Sequence, residues 1–258
     1  MKRLPVIAVV LLATTAAFAQ QDTTKLNPPK TTAAPVKTSS KKDWSKVKLT
    51  NRANDHLVLQ FAYDNWAGKP DTIQTVGFSR SFNFYFMYDM PFKTDPRFSI
   101  AGGLGLAWSN IFFQNQNVLI ASTNPTLAFP SVSEGAVNFK KYKLVSCYLD
   151  VPVELRFAMD PENTNKSWKF AVGAKVGFLL ATYTKAKDER NSANQVINSY
   201  IEKEVAKKYF NGVRLSPTIR VSKGVFGVYA QYQITPMIKP AYGPNIFPWA
   251  AGIQISGL

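Results

Sequence analysis

The sequence has few of the residues on which metal sites and nucleophilic catalysis usually depend. Its 258 residues include one cysteine, Cys147, and one histidine, His56. A single cysteine cannot form an internal disulfide bond, and one residue of each type gives no basis for a Cys/His zinc site. We interpret Cys147 as a small apolar strand residue and His56 as a polar residue at a strand start. The sequence therefore predicts no enzymatic activity, no metal site and no cofactor.

Acidic residues are also scarce, with 16 Asp and Glu against 31 Lys and Arg, which gives a formal net charge of +15. Some of this excess lies near the N-terminus, where seven lysines in the segment 20–52 face only Asp22 and Asp43. The other cations are dispersed along the chain, whereas a nucleic-acid-binding surface concentrates its charge on one face. We therefore expect no nucleic-acid partner.

Long hydrophobic runs are missing as well. The apolar run 6–13 is much shorter than the roughly 20 residues that a membrane-spanning helix needs. It follows the basic residues Lys2 and Arg3 and precedes the small-residue motif at 17–19, which together predict a cleaved Sec signal peptide over residues 1–19. A retained anchor helix is the alternative interpretation. The residue directly after the predicted cleavage site is Gln20 and not a cysteine, which excludes a lipid-anchored lipoprotein.

Residues 20–52 are rich in Thr, Pro, Lys, Ser and Ala. Such a segment buries too little apolar surface to offset the entropy of ordering it, so we expect a disordered periplasmic linker. The remaining residues, 53–258, form the predicted folded domain. The linker offers a route by which the domain could contact other envelope proteins or peptidoglycan.

The folded domain shows the period-two alternation of strands with two different faces. In the first segment, for example, Leu57, Leu59 and Phe61 alternate with Val58 and Gln60. The eight alternating segments are 57–64, 81–89, 98–109, 145–157, 168–180, 213–221, 226–234 and 247–256. One face of each is aromatic or branched, and the other mixes Gly, Ser and Ala with charged residues. A soluble barrel buries its apolar face, whereas a membrane barrel turns that face to lipid.

Three further features favour the membrane barrel. Several segments reach ten or more residues, as a tilted membrane strand requires. The connections alternate between long and short, as expected for the two ends of an outer-membrane barrel. The long ones are 65–76, 110–141, 185–209 and 235–246, and the short ones are 90–96, 159–166 and 222–224. Aromatic residues lie at the predicted interfaces, Trp66, Trp108 and Trp249 near the long loops and Tyr88 and Trp168 near the short turns.

We therefore predict an all-β protein, an eight-stranded antiparallel up-and-down transmembrane β-barrel with long extracellular loops. It lies in the outer membrane of a Gram-negative envelope, in contact with outer-membrane lipid, and both termini are periplasmic. Within the loop 185–209, Val196, Tyr200, Ile201, Val205 and Tyr209 follow helical spacing and predict a short amphipathic helix. That helix is either a cap on the barrel rim or a partner-binding surface.

The candidate functional residues are the charged ones on the inward face. They are Asp150, Glu154, Arg156, Lys169, Lys175, Arg214 and Arg220. One interpretation is a salt-bridged plug that fills a narrow lumen, and the other is a gate or an anion path. A turn centred near Asn163 predicts that Asp150 lies opposite Lys175, and that Arg156 lies opposite Lys169 with an acid such as Glu154 between them.

Several of these segments resemble the PorT-like outer-membrane β-barrel family. They are FNFYFMYDMPF (82–92), FSIAGGLGLAWSN (98–110), LDVPVELRF (149–157), FAVGAKVGFL (170–179), RLSPTIRV (214–221) and AQYQITPMIK (230–239). The resemblance covers residues 55–258, and its most distinctive motif is Leu149, Pro152 and Leu155. It implies the barrel fold. The name-giving member is an accessory of a protein secretion system, a role that the resemblance extends to this chain only by analogy of fold. The chain departs from the aromatic last residue common in outer-membrane barrels.

Two function classes follow from these observations. The first is a structural or interaction protein that displays the extracellular loops 110–141 and 185–209. The alternative is a narrow pore or an accessory subunit of a transport or protein secretion system. Conductance in planar bilayers distinguishes them.

Overall fold

The computed structural model describes residue 43 and residues 56–132, 138–164, 166–191 and 195–257. The predicted signal peptide, residues 1–19, lies outside the described residues, and so does the predicted linker, residues 20–52, apart from Asp43. Within the described ranges, no helix combines the length and apolar character needed to cross a membrane.

The described residues form nine β-strands. They are β1 (Leu57–Ala67), β2 (Arg80–Pro91), β3 (Phe98–Phe113), β4 (Asn138–Ala158), β5 (Trp168–Arg190), β6 (Val196–Val205), β7 (Val213–Lys223), β8 (Phe226–Tyr232) and β9 (Phe247–Ser256). All of the pairings between them are antiparallel.

Eight of the strands close into a barrel. The pairings run from β1 through β2, β3 and β4 to β5. The ring then continues through β7, β8 and β9, which pairs back with β1. Strand β6 lies outside the ring, because it pairs with the end of β5, from Tyr183 to Arg190, whereas β7 pairs with Trp168–Phe178. The predicted eight-stranded up-and-down barrel is confirmed, and β6 is an additional strand.

The two faces of the strands show which side contacts lipid. Large apolar side chains on one face are exposed, such as Phe86 at 59% and Leu104 at 57%. Charged side chains on the other face are buried, with Asp150 at 0% and Lys175 at 2% exposure. This arrangement is the inverse of a soluble barrel and is that of a membrane barrel, with an apolar exterior and a polar lumen. The prediction of which face contacts lipid is confirmed.

The connections alternate in length, as predicted. The long ones, 68–79, 114–137, 191–212 and 233–246, lie at one end, called here the long-loop end, and the short ones, 92–97, 159–167 and 224–225, lie at the short-turn end. Strands β4 and β5 are 21 and 23 residues long. Since a membrane strand needs about 9–11 residues, both continue well beyond the membrane at the long-loop end.

The predicted helix in the loop 185–209 is wrong, because Val196–Val205 forms strand β6. The extension of β5 as far as Arg190 offers β6 a hydrogen-bonding edge, and β-branched and aromatic residues favour a strand there. The apolar side chains of β6 are exposed, Ile201 at 57% and Val205 at 60%. The β5–β6 hairpin therefore projects from the barrel and does not rest on its rim.

A hydrophobic cluster covers the lumen at the long-loop end. It combines strand ends with loop residues: Trp66, Ile73, Ile111, Phe113, Val118, Ile120, Leu127, Tyr142, Leu144, Ala186, Tyr209, Phe210, Met237, Ile238 and Ile246. We call this cluster the apolar cap. Trp66 is 4% exposed and its ring lies 5.6 Å from that of Phe113. The prediction that Trp66 belongs to an interfacial aromatic belt is therefore wrong, since it shares the inward face of β1 with Asp64.

Candidate functional site

The inward faces of three neighbouring strands bring the best-defined ion pair of the lumen together. Asp150 of β4, Gly177 of β5 and Arg214 of β7 occupy one cross-strand row. Arg214 Nη2 lies 2.8 Å from Asp150 Oδ2, and Arg214 Nε lies 3.2 Å from Asp150 Oδ1. The two side chains are only 7% and 0% exposed. A guanidinium that contacts both carboxylate oxygens makes a strong, directional pair.

Gly177 makes this pair possible, because a Cβ atom at position 177 would lie 2.4 Å from Asp150 Oδ1 and 2.7 Å from Arg214 Nε. The side chain of Arg214 crosses the space that any other residue at position 177 would occupy. The carbon of its guanidinium also lies 3.9 Å from the centre of the Tyr148 ring, a cation–π contact.

Lys175 lies in the same layer and is connected to Asp150 indirectly. Its ammonium donates hydrogen bonds to Gln231 Oε1 at 2.8 Å, to the Tyr85 hydroxyl at 3.0 Å and to Gln60 Oε1 at 3.2 Å. The Tyr85 hydroxyl in turn donates to Asp150 Oδ2 at 2.8 Å. All three oxygens that accept from Lys175 are neutral, and its ammonium lies 4.5 Å from the centre of the Tyr85 ring.

A second charged group lies nearer the short-turn end and is centred on Glu154. Glu154 Oε2 accepts from Arg220 Nη2 and, at 3.2 Å, from Arg156 Nε. Arg156 also lies 3.6 Å from Asp89, and Arg220 Nη1 donates to Gln254 Oε1 at 3.1 Å. One buried carboxylate thus joins two buried arginines, which agrees with the expectation that an acid would stand beside Arg156.

The predicted register of β4 and β5 is wrong by two residues. Asp150 lies opposite Gly177, not Lys175, and Arg156 lies opposite Ala171, not Lys169. A turn as long as 159–167 does not fix the register of the two strands. Because side chains alternate with a period of two, a register shift of two residues keeps every side chain on its predicted face. Lys169 is half-buried and lines the lumen opening at the short-turn end.

Sequence reasoning missed several inward polar residues, above all Asp64 and Asp89. Asp64 is 5% exposed and accepts a hydrogen bond of 2.5 Å from the Ser109 hydroxyl. Asp89 accepts one of 2.7 Å from the Ser99 hydroxyl. With these two acids, the five predicted cations of the lumen face four carboxylates instead of two. The alternation within β1 and β2 places both acids on the inward face and could have identified them.

The described residues leave little empty space in the lumen. A cavity of about 20 Å³ at the short-turn end is lined by Asp89, Ser99, Arg156, Thr164, Lys169 and Arg220, among others. A second of about 20 Å³ lies between the charged layer and the apolar cap, beside Asp64, Asn83, Tyr148 and Arg214. Each has room for about one water molecule. Among the described residues, no group of three or more His, Cys, Asp and Glu side chains could hold a metal ion.

Comparison with known proteins agrees with this architecture. The family described as outer membrane protein beta-barrel domain matches residues 35–235, most of the chain, and the chain belongs to that family. It is therefore an outer-membrane β-barrel protein with extracellular loops.

Two crystal structures of Ail, the attachment invasion locus protein of Yersinia pestis, are similar to the chain. Ail alone shows 12% sequence identity, covering 78% of this chain and 95% of Ail, with a TM-score of 0.32. Ail in complex with the heparin analogue sucrose octasulfate shows 13% identity, covering 78% of this chain and 96% of Ail, also with a TM-score of 0.32. No curated protein sequence matches the chain.

Proposed function

We propose that the protein is a closed, non-conducting barrel that acts as a structural or interaction protein and displays its extracellular loops. The filled lumen is the observation that supports this most strongly. The ion pairs of Asp150 and Glu154 occupy its middle, and the apolar cap covers it at the long-loop end. Within the described part of the chain, the two lumen cavities of about 20 Å³ are each too small for a hydrated solute to pass.

The packing of the loops supports a role in interaction. Tyr209 is 0% exposed, and its hydroxyl lies 2.7 Å from the carbonyl oxygens of both Ser122 and Asn124, which share its one proton. The Tyr142 hydroxyl likewise hydrogen-bonds the backbone of Val118. Loops held by such contacts present a preformed surface, which lowers the entropy lost when a partner binds.

In this proposal both termini are periplasmic, and the signal peptide 1–19 directs export through Sec. The linker 20–52 then faces the periplasm and ties the barrel to other envelope proteins or to peptidoglycan. We assign it no nucleic-acid partner and no enzymatic activity. His56, the one histidine of the sequence, lies just before β1 and hydrogen-bonds the carbonyl of Met87 at 2.9 Å, a structural role.

Planar-bilayer recordings test the proposal. The full-length barrel should insert without producing discrete conductance steps, because no continuous water path crosses its lumen. Arg214→Ala combined with Lys175→Ala removes two large side chains from the charged layer and is the matched comparison, expected to raise the frequency of openings. Stable ohmic channels from the unaltered protein would contradict the closed barrel.

The second candidate function is a narrow pore or an accessory subunit of a transport or protein secretion system. Lys175 favours it, since its buried ammonium has only neutral acceptors and lies in the charged layer between the two cavities. The resemblance to PorT-like barrels favours the secretion role. In that case, copurification from native membranes would recover components of the secretion machinery together with the barrel.

A further inference from the structure

A cluster of cations lies on the outside of the barrel at the long-loop end. It consists of Arg80, Lys140, Lys141, Lys143, Lys185 and Lys187, and we call it the basic rim. These six residues line a surface cavity of about 440 Å³, and none of the described residues that line it is acidic. The sequence-based expectation that the cations are dispersed is therefore wrong for this surface, because the strands β2, β4 and β5 bring them together around one cavity.

The strand register places like charges directly opposite each other. Lys143 of β4 pairs with Lys185 of β5, which pairs with Lys203 of β6. In the next row, Lys141 pairs with Lys187. Opposed side chains on one face of a sheet have Cβ atoms about 4.5–5.5 Å apart, and like charges at this distance repel. Among the described residues, Lys187 is the one cation of the basic rim that lies within 4.0 Å of a carboxylate, that of Asp188.

The two acids of β6 lie on the other face of the β5–β6 hairpin. Glu202 and Glu204 pair with Ala186 and Thr184, whose side chains are buried at the long-loop end. The period of two thus separates the charges, with cations on the outward face and acids on the inward face. Among the described residues, such a separation leaves most cations of the outward face without a neighbouring carboxylate, and an external anion could supply the missing negative charge.

Phe112 forms the floor of the basic rim. The guanidinium carbon of Arg80 lies 5.6 Å and the ammonium of Lys143 lies 5.7 Å from the centre of the Phe112 ring. The Lys143 ammonium also donates a hydrogen bond of 2.7 Å to Asn110 Oδ1. Partial burial and the neighbouring cations Lys185 and Arg80 lower the pKa of this ammonium, which lies above the apolar band of the barrel. Contacts with Phe112 and Asn110 therefore fix the positions of Arg80 and Lys143, although their positive charges repel each other.

The position of the basic rim identifies its ligand. On β5, Phe178 and Leu180 are each 45% exposed and lie between the middle of the barrel and Lys185, so the rim borders the lipid-facing band. Phe78, which is 64% exposed, and Val76 line the same cavity and add an apolar surface. Headgroup phosphates lie at this level of a bilayer and attract basic residues close to the membrane.

We propose that the basic rim binds the phosphate groups of a phosphorylated lipid in the outer leaflet of the outer membrane, with the acyl chains against the lipid-facing band that the rim borders. The inference rests on the orientation proposed above, with the long loops outside the cell. Arg80 supplies a planar donor pair for one phosphate, and Lys143 and Lys185 supply point charges for a second.

Binding of diphosphoryl lipid A to the full-length, folded barrel in zwitterionic detergent tests the proposal, measured by native mass spectrometry. Lys143→Gln with Lys185→Gln should weaken binding roughly 30-fold, because each basic residue near a lipid headgroup contributes about a factor of five. Lys143→Arg with Lys185→Arg should bind as the unaltered protein does. The matched control is Lys93→Gln with Lys223→Gln, which removes two cations from the short-turn end and should leave the affinity unchanged.

Two further ligands distinguish a lipid phosphate from free phosphate as the anion that binds the basic rim. Monophosphoryl lipid A should bind more weakly than the diphosphoryl form, and inorganic phosphate should not displace either lipid. Displacement by inorganic phosphate would overturn the lipid assignment, and equal affinity of the glutamine variant and the unaltered protein would overturn the site. Heat-dependent gel mobility verifies that each variant is folded. Bilayer conductance reports on the closed barrel independently, so the failure of one proposal is distinguishable from the failure of the other.

Discussion

At the scale of single residues, the lumen depends on a glycine as much as on its charges. Gly177 lies between Asp150 and Arg214, and the guanidinium passes through the space where a side chain would be. Gly173 has a similar role nearer the short-turn end, since a Cβ atom there would lie 2.9 Å from Glu154 Cγ. Small residues thus determine which of the large inward side chains can meet.

We predict that Gly177→Ala destabilises the barrel by about 1–3 kcal/mol, the range typical of overpacking a filled interior. The added methyl group displaces either Asp150 or Arg214 from the ion pair. Gly212→Ala is the control, because no heavy atom lies within 4 Å of the position its Cβ would take. Urea unfolding in lipid vesicles measures both changes, and equal free energies of unfolding for the two variants would contradict the prediction.

A second prediction concerns the partner of Asp150. Asp150→Asn and Arg214→Met should each cost about 3–5 kcal/mol, because each leaves a buried group without its partner, and the double variant should cost less than their sum. A double-mutant cycle of Asp150→Asn with Lys175→Met should give a smaller coupling energy than the cycle with Arg214→Met, since Lys175 contacts Asp150 only through the Tyr85 hydroxyl. Strict additivity for Asp150 and Arg214 would show that the ion pair contributes nothing to stability.

The difference between the predicted and the observed partner shows how far the sequence determines the site. The period-two alternation places Asp150, Lys175 and Arg214 on the inward face, and this alternation can be read from each strand's own sequence. Which of them meet depends on the register across the turn 159–167 and on the neighbouring strand β7, and neither is a local property. The inward face could therefore be predicted, whereas the pairing within it could not.

At the scale of elements, the eight barrel strands could be predicted from local alternation, whereas β6 depends on a long-range pairing. Val196, Tyr200, Ile201 and Val205 fit a helical period over a short segment, and short apolar segments are ambiguous between helix and strand. The extension of β5 resolves the ambiguity by providing a hydrogen-bonding edge, and this is a long-range effect. The apolar cap escaped prediction for a related reason, since most of its loop residues follow no period.

Shortening the β5–β6 hairpin should leave the barrel intact. The variant replaces residues 188–200 with an Asn-Gly turn that joins Lys187 to Ile201. The described side chains that it removes are mostly exposed, such as Val196 at 48% and Ile197 at 53% exposure. We expect the free energy of unfolding to change by less than about 1 kcal/mol. Phe210→Ala in the apolar cap, where Phe210 is 2% exposed, should cost about 3–5 kcal/mol. Comparable losses in both variants would mean that the hairpin belongs to the folded core.

At the scale of the whole molecule, the barrel is asymmetric along its axis. Polar groups fill its middle, a small polar cavity opens at the short-turn end, and the apolar cap closes the long-loop end. Outside the membrane, the long-loop end thus resembles a small soluble domain with a hydrophobic core of its own. This asymmetry favours one orientation, in which the packed loops face the cell exterior and the short turns face the periplasm.

Cysteine labelling in whole cells tests that orientation. Thr123→Cys lies exposed in the long connection 114–137 and Lys93→Cys lies exposed in the short turn 92–97, each introduced with Cys147→Ala so that one thiol is present. A membrane-impermeant maleimide should label position 123 in intact cells and leave position 93 unlabelled, because the outer membrane separates the reagent from the periplasm. After the outer membrane is permeabilised, both positions should react, which shows that Lys93→Cys is accessible once the barrier is removed. Labelling of position 93 in intact cells would place the short turns and both termini outside, and the basic rim would then face the inner leaflet.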